Sequence, residues 1–93
     1  MSLVFEWDEN KARFNVRKHG VSFELAATVF GDPFALTIYD KNNSQNEDRY
    51  VTIGLSVIGL VVVVCHTDRA NKIRIISARK ATSKEKRQYE EGI

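Results

Sequence analysis

Residues 60–80 read LVVVVCHTDRANKIRIISARK. Leu60 to His66 is an unbroken, β-branched run, which predicts a central strand buried on both faces. Asp68 to Asn71 supplies a turn. Lys72 to Arg79 returns as the last strand, and strands joined this tightly pair antiparallel. Upstream, Arg49 to Val57 alternates Tyr50, Thr52 and Gly54 with Val51, Ile53 and Leu55, a period of two that predicts another strand, and Ile58-Gly59 turns it back as a hairpin. Phe34 to Tyr39 predicts one more strand, followed by a polar loop from Asp40 to Asp48.

The flanks read differently. Leu3 to Trp7 is short, aromatic and branched and predicts a strand, after which Asp8 caps a helix from about Glu9 to Lys18. Gly20 ends it, and Arg17, Lys18 and His19 suit the negative end of its dipole. Ser22 caps a second helix whose Phe23, Ala26, Ala27 and Phe30 form one apolar stripe, stopped by Gly31-Asp32-Pro33. Thr82 and Glu85 make a capping box that opens a final helix to about Glu91. That helix is polar nearly all round, with Tyr89, Ala81 and Ile93 as its available anchors. The order predicts an α+β domain, residues 1–93, with a compact antiparallel sheet flanked by two N-terminal helices and one C-terminal helix.

Ninety-three residues suffice for one hydrophobic core. Hydrophobic residues at 43% and charged residues at 28% describe a folded globular chain. The one cysteine, Cys65, cannot form an internal disulfide. The longest apolar run is far below the roughly 20 residues of a membrane span, and the N-terminus lacks a signal-peptide pattern. We therefore expect a cytoplasmic protein with no membrane association.

Charge is distributed unevenly. Arg69 to Arg87 carries eight Lys and Arg against Glu85 alone, a net +7, whereas residues 1–68 sum to −3 and the last six residues to −2. Such polarity points to a polyanion, nucleic acid above all, meeting one face of the domain. On the last strand, strict alternation separates Arg74 from Arg79, and a bulge at Ile75-Ile76 would reunite them. Together they would grip a phosphate and offset charge in a pentacovalent transition state. The plainer reading is a strand edge protected by charge.

On the first helix Lys11, Asn15 and Lys18 share a face that ends near His19, either a second wall of a phosphate site or a solvated surface. His19 is a candidate for proton transfer, although a helix C-terminus favours an electrostatic role. Arg49 either reaches the same cleft or pairs with its acidic neighbours Glu47 and Asp48. Tyr89 is either a proton donor or base-stacking ring, or the docking residue of its helix. Lys72, Lys80 and Lys84 complete the candidate nucleic-acid-binding set. Cys65 and His66 point to opposite faces, and no CxxC or HxxxH spacing occurs, so neither a metal nor a cofactor is expected.

Trp7-Asp8 with Lys11 and Asn15, the block Lys18-His19-Gly20-Val21-Ser22-Phe23-Glu24, Glu47 with Arg49-Tyr50, and Arg74-Ile75-Ile76-Ser77-Ala78-Arg79 followed by Ala81, Glu85 and Tyr89 resemble the BrnT family of bacterial toxins over nearly the whole chain. The resemblance implies a RelE-like fold and a type II toxin-antitoxin system. It further implies a metal-independent ribonuclease silenced by a BrnA-type ribbon-helix-helix antitoxin, in a hetero-oligomer of two copies of each chain that reaches operator DNA only through the antitoxin. Where many members carry a histidine before the serine of the central loop, this chain has Asn43 before Ser44, so that loop does not supply a general base.

Three readings follow. The first is an RNA endonuclease that uses the 2′-hydroxyl as nucleophile and leaves a 2′,3′-cyclic phosphate, with Arg79, Arg74 and Arg49 on the phosphate, His19 or Tyr89 moving protons, and Lys11 and Lys18 placing the backbone. The second is a ParE-like toxin that binds a protein target without chemistry. The third is a nucleic-acid-binding module without toxicity.

Overall fold

In the computed structural model, which describes residues 2–92, five strands form a single sheet in the order β1-β5-β4-β3-β2. The elements are β1 (Phe5–Glu6), α1 (Glu9–His19), α2 (Phe23–Thr28), β2 (Leu36–Tyr39), β3 (Arg49–Leu55), β4 (Val61–Arg69), β5 (Lys72–Lys80) and α3 (Ser83–Glu91), with 3-10 turns at Val29–Gly31 and Lys41–Asn43. The fold is α+β as expected. β2 to β5 pair antiparallel, and β1 joins β5 in parallel through Phe5 opposite Ile73 and Glu6 opposite Arg74, which makes the whole sheet mixed. The long connection through both helices carries the chain from β1 at one edge of the sheet to β2 at the other, and composition does not announce that. Among the described residues no helix is long and apolar enough to cross a membrane.

The run that predicts a central strand is central. Val61 to Val64 are all buried, with their side chains alternating between two clusters. Val62 and Val64 join Val21, Phe23, Ala26, Val29, Ile75 and Ala78 under α1 and α2. Val61 and Val63 join Ile53 on the opposite face, where Ala81 and Tyr89 of the α3 region pack. Chain entry into the helices follows the predicted caps. Asp8 accepts from the Asn10 and Lys11 amides, Ser22 from Leu25, and Thr82 closes a full capping box with Glu85. Gly20 takes φ 71° past the end of α1, a left-handed conformation that glycine adopts without a Cβ clash.

α1 carries little apolar surface for the core, and Phe14 and Val16 are exposed. Its anchor is polar. Asn15, 4% exposed, donates to the Val21 carbonyl and to the Ala78 carbonyl, both at 2.8 Å, and accepts from the Ala78 amide at 3.2 Å. β1 covers only the first part of β5, so among the described residues no strand pairs with the outer edge near Ala78; the Asn15 carboxamide serves both backbone groups there. α3 is held by Tyr89 and Ala81 on its cluster and by two polar contacts described below. The remaining anchor expected for it, Ile93, lies outside the described residues.

Candidate nucleic-acid interface

β5 departs from strict alternation through a bulge at Ile75-Ile76. Ser77 lies opposite Cys65 and Ile75 opposite the adjacent His66, so Ile76 is an extra residue in β5. Arg79 faces Val63 and Arg74 faces Thr67. Val63 and Thr67 are four apart on β4, and directly paired residues share a face, so both arginines point to the side opposite α1 and α2. They do not meet. Four pairs of rise separate them by about 13 Å, and each holds its own carboxylate.

Arg79 binds Glu85 of α3 through both ends of its fork, at 2.7 and 2.9 Å. The Arg79 guanidinium is the main reason that the Glu85 carboxyl is held down at about 2, and the same hydrogen bonding raises the Arg79 pKa. Arg74 binds Glu6 at 3.1 Å. Arg49 lies opposite Thr67 from the other side, so Glu6, Arg74, Thr67 and Arg49 form one row across four strands. Arg49 contacts Glu47 at 3.6 Å, and Glu47 also takes Arg69 at 3.0 Å. Of the two alternatives for Arg49, the ion pair with an acidic neighbour is present, and its strand position aligns it with Arg74 rather than with Arg79.

The face of α1 picked out by spacing does form a wall. Lys11, Phe14, Asn15, Lys18 and His19 line a cleft of about 240 Å³ whose other side is Ile76 and Ser77 of the bulge. Lys18 lies over the Phe14 ring, 5.8 Å from its centroid. His19, the last residue of α1, is half-buried there. The N-terminal end of α1 brings Asp8 close enough to Lys11 and Arg74 for both charges to act on it. Its carboxyl lies below the ordinary range, chiefly because the Lys11 and Asn10 amides donate to it.

Tyr89 points elsewhere. Its hydroxyl donates to Asp32 Oδ2, which also accepts from the Leu55 amide at 2.8 Å, while Oδ1 accepts from Phe34. That hydrogen bond pushes the phenol up to about 12. Burial of Asp32 works in the opposite direction, yet the Tyr89 hydroxyl and the two amides together lower its carboxyl. These are the contacts of a docking residue. Lys72, Lys80 and Lys84 are exposed, Lys84 on α3 and the other two at the ends of β5.

The polar loop between β2 and β3 carries a second cleft that its composition does not announce. Asn42, Asn43, Gln45 and Asn46, with Glu47, Arg49 and Arg69, border a cleft of about 570 Å³. The available signal was four carboxamides within five residues, read there as a polar loop. Among the described residues, no three His, Cys, Asp or Glu side chains are grouped to hold a metal ion.

A family model described as the ribonuclease toxin BrnT of type II toxin-antitoxin systems matches residues 7–85. The 1.1 Å crystal structure of the Brucella abortus ribonuclease toxin BrnT aligns at a TM-score of 0.64, covering 88% of this chain and 100% of that chain, with 23% sequence identity. At that identity the likeness is one of fold. No curated protein sequence matches the chain.

Proposed function

The chain belongs to the BrnT family of ribonuclease toxins of type II toxin-antitoxin systems, and from that premise we propose that it is an RNA endonuclease whose site runs along the β5 bulge. The observation that carries this reading is the cleft that sets Lys11, Lys18 and His19 against Ile76 and Ser77, within the same strand that turns Arg74 and Arg79 to a common face. Phosphate needs cations and hydrogen-bond donors, and the β5 strand with α1 collects both.

In the proposed reaction a ribose 2′-hydroxyl attacks the adjacent phosphorus. The 2′-O–P bond forms, the P–O5′ bond breaks, and the products are a 2′,3′-cyclic phosphate and a free 5′-hydroxyl. His19 takes the 2′-hydroxyl proton, and the departing 5′-oxygen receives a proton from His19 or solvent. Arg79 offsets the negative charge added at the scissile phosphate, Arg74 and Arg49, farther along the sheet, hold neighbouring phosphates, and Lys11 and Lys18 place the backbone. Lys72, Lys80 and Lys84 extend the basic surface beyond the scissile bond. In this reading charge compensation comes from these side chains and the reaction is metal-independent. Tyr89 enters it as the residue that docks α3.

Family membership implies an antitoxin partner. We take it to be a BrnA-type ribbon-helix-helix protein, two copies bound to two of this chain, contacting operator DNA itself. The net +7 of residues 69–87 favours an acidic antitoxin segment over the same face.

The test is purified protein with total RNA in EDTA, wild type beside Arg79→Ala, with circular dichroism to establish that both are folded. Cleavage by the wild type alone, ending in cyclic phosphate, is the expected result. Full cleavage by Arg79→Ala would remove that arginine from the site, and no cleavage by folded wild type would favour the protein-binding reading.

A further inference from the structure

We propose that the loop between β2 and β3 is the base-reading part of this surface: the cleft beside Arg49 receives one nucleobase of single-stranded RNA and recognises its edge with carboxamides. The proposal rests on the ribonuclease reading for its place in the reaction, but its own evidence is local. Asn42, Gln45 and Asn46 are exposed, and all three border the cleft. Asn43, the fourth, is committed to Asp40 at 2.9 Å and braces the loop. Ser44 braces it from inside, donating to the Asp40 carbonyl and accepting from the Arg49 amide at 2.9 Å. The loop is therefore pinned at its base while three amides are presented outward.

The chemistry of that lining selects the ligand. A phosphate is acceptor-only and is served by cations, whereas a base edge carries donors and acceptors together, and a carboxamide matches both. Asn and Gln pair bidentately with the N6 and N7 atoms of adenine in this way. Unstacked bases of single strands are the ones whose edges proteins reach. The volume, about 570 Å³, lies within the ordinary range of ligand pockets.

Position supports the same assignment. Arg49 borders the cleft and also belongs to the row that leads through Thr67 to Arg74, about two strand spacings or 10 Å away. Its Nε is buried and, among the described residues, has no hydrogen-bond partner. One Glu47 carboxylate holds both Arg49 and Arg69, leaving the pair of guanidiniums with a net positive charge beside the amides. A backbone held at Arg49 and Arg74 thus places an adjoining base over the amide loop.

The experiment measures binding without cleavage. Uncleavable 2′-O-methyl hexamers of A, C and U are titrated into wild type and into the triple variant Asn42→Ala, Gln45→Ala, Asn46→Ala, at two salt concentrations. Wild type should prefer the A hexamer by about tenfold. The triple variant should bind all three hexamers within about threefold of one another, with the salt dependence unchanged because the phosphate contacts remain. Gln45→Glu is a second variant, with a single change at an exposed position; it should lose A preference while leaving the thermal midpoint unaltered. Equal binding of the three hexamers by wild type, retained preference in the triple variant, or no binding of any hexamer would each overturn the proposal. Base preference that disappears in the triple variant, with no RNA cleavage by wild type, would uphold the cleft and overturn the ribonuclease reading alone.

Discussion

Asn15 of α1 holds both backbone groups of Ala78, donating to its carbonyl at 2.8 Å and accepting from its amide at 3.2 Å. A single carboxamide thus does the work of a neighbouring strand at the open edge of β5, one residue from Arg79 and in the wall of the His19 cleft. Asn15→Ala would leave both Ala78 groups and the Val21 carbonyl without a partner. The expected loss is about 3 kcal/mol, since each buried polar group left unpaired costs about 1–3 kcal/mol. Denaturant unfolding reads it directly, and a change under about 0.5 kcal/mol, the scale of ordinary surface substitutions, would show that the edge finds other partners.

His66 makes stability depend on pH. Its Nε2 contacts the Thr52 hydroxyl at 2.7 Å, Tyr50 stacks on it and Phe30 meets it edge-on. Burial lowers its pKa below the ordinary 6.5, and the Asp68 charge offsets this only in part. With the folded pKa lowered, the unfolded chain binds the extra proton first as pH falls. Stability is therefore complete above about 6.5 and declines below it, by at most about 1.4 kcal/mol per pH unit, until pH reaches the folded pKa. Urea midpoints between pH 7.5 and 5 should show the decline in wild type and in His19→Gln, and a much weaker one in His66→Gln. An equal slope in His66→Gln would assign the dependence to other groups.

The turn between β4 and β5 contains a correctable strain. Ala70 and Asn71 both have positive φ, 49° and 68°, as the two central residues of a mirror-image hairpin turn do. Asparagine tolerates that conformation, and alanine does so at a cost of roughly 1 kcal/mol. Ala70→Asn should stabilise the protein by about 0.5–1 kcal/mol, seen as a higher denaturant midpoint at unchanged m-value. A lower midpoint would mean that this turn takes another form in solution.

Tyr89→Phe separates docking from proton transfer. Removing the hydroxyl takes one of three hydrogen bonds from Asp32 and should cost about 1 kcal/mol, a fall of about 4–8 °C in the midpoint for a domain of this size. RNA cleavage below that midpoint should continue at nearly the wild-type rate. A loss of about a hundredfold with unchanged stability would instead make the phenol a proton donor.

Much of this arrangement was legible in the sequence because it is local. Asp8, Ser22, Thr82 and Gly20 declare the helix ends, the Val61 to Val64 run declares the middle of the sheet, and Lys11, Asn15, Lys18 and His19 fall on one wall because i, i+4 spacing fixes a helix face. The bulge in β5 was also within reach, since alternation alone would have split its arginines. What was not legible depends on partners remote in the chain. Glu6 gives no sign that it will meet Arg74, because that pair exists only through the parallel return of β1 to β5. Likewise Asp32 reads as a turn residue before Pro33, yet it receives the Tyr89 hydroxyl from a helix more than fifty residues on. The buried role of Asn15 was hidden for the same reason, since only the finished sheet exposes the edge that it serves.

A strand has two sides, so position along it has a parity, and Arg74 and Arg79 are an odd number of residues apart. Ile76 changes that parity by standing outside the count. Deleting it would turn one half of β5 over relative to the other. Either Arg74 would be driven among the helices and Ile75, now 1% exposed, out to solvent, or Arg79 and Ala78 would change places in the same manner. The common basic face of this strand is therefore an arithmetic property of the chain: substitutions along β5 can vary what it presents, while one residue more or fewer decides whether there is a face at all.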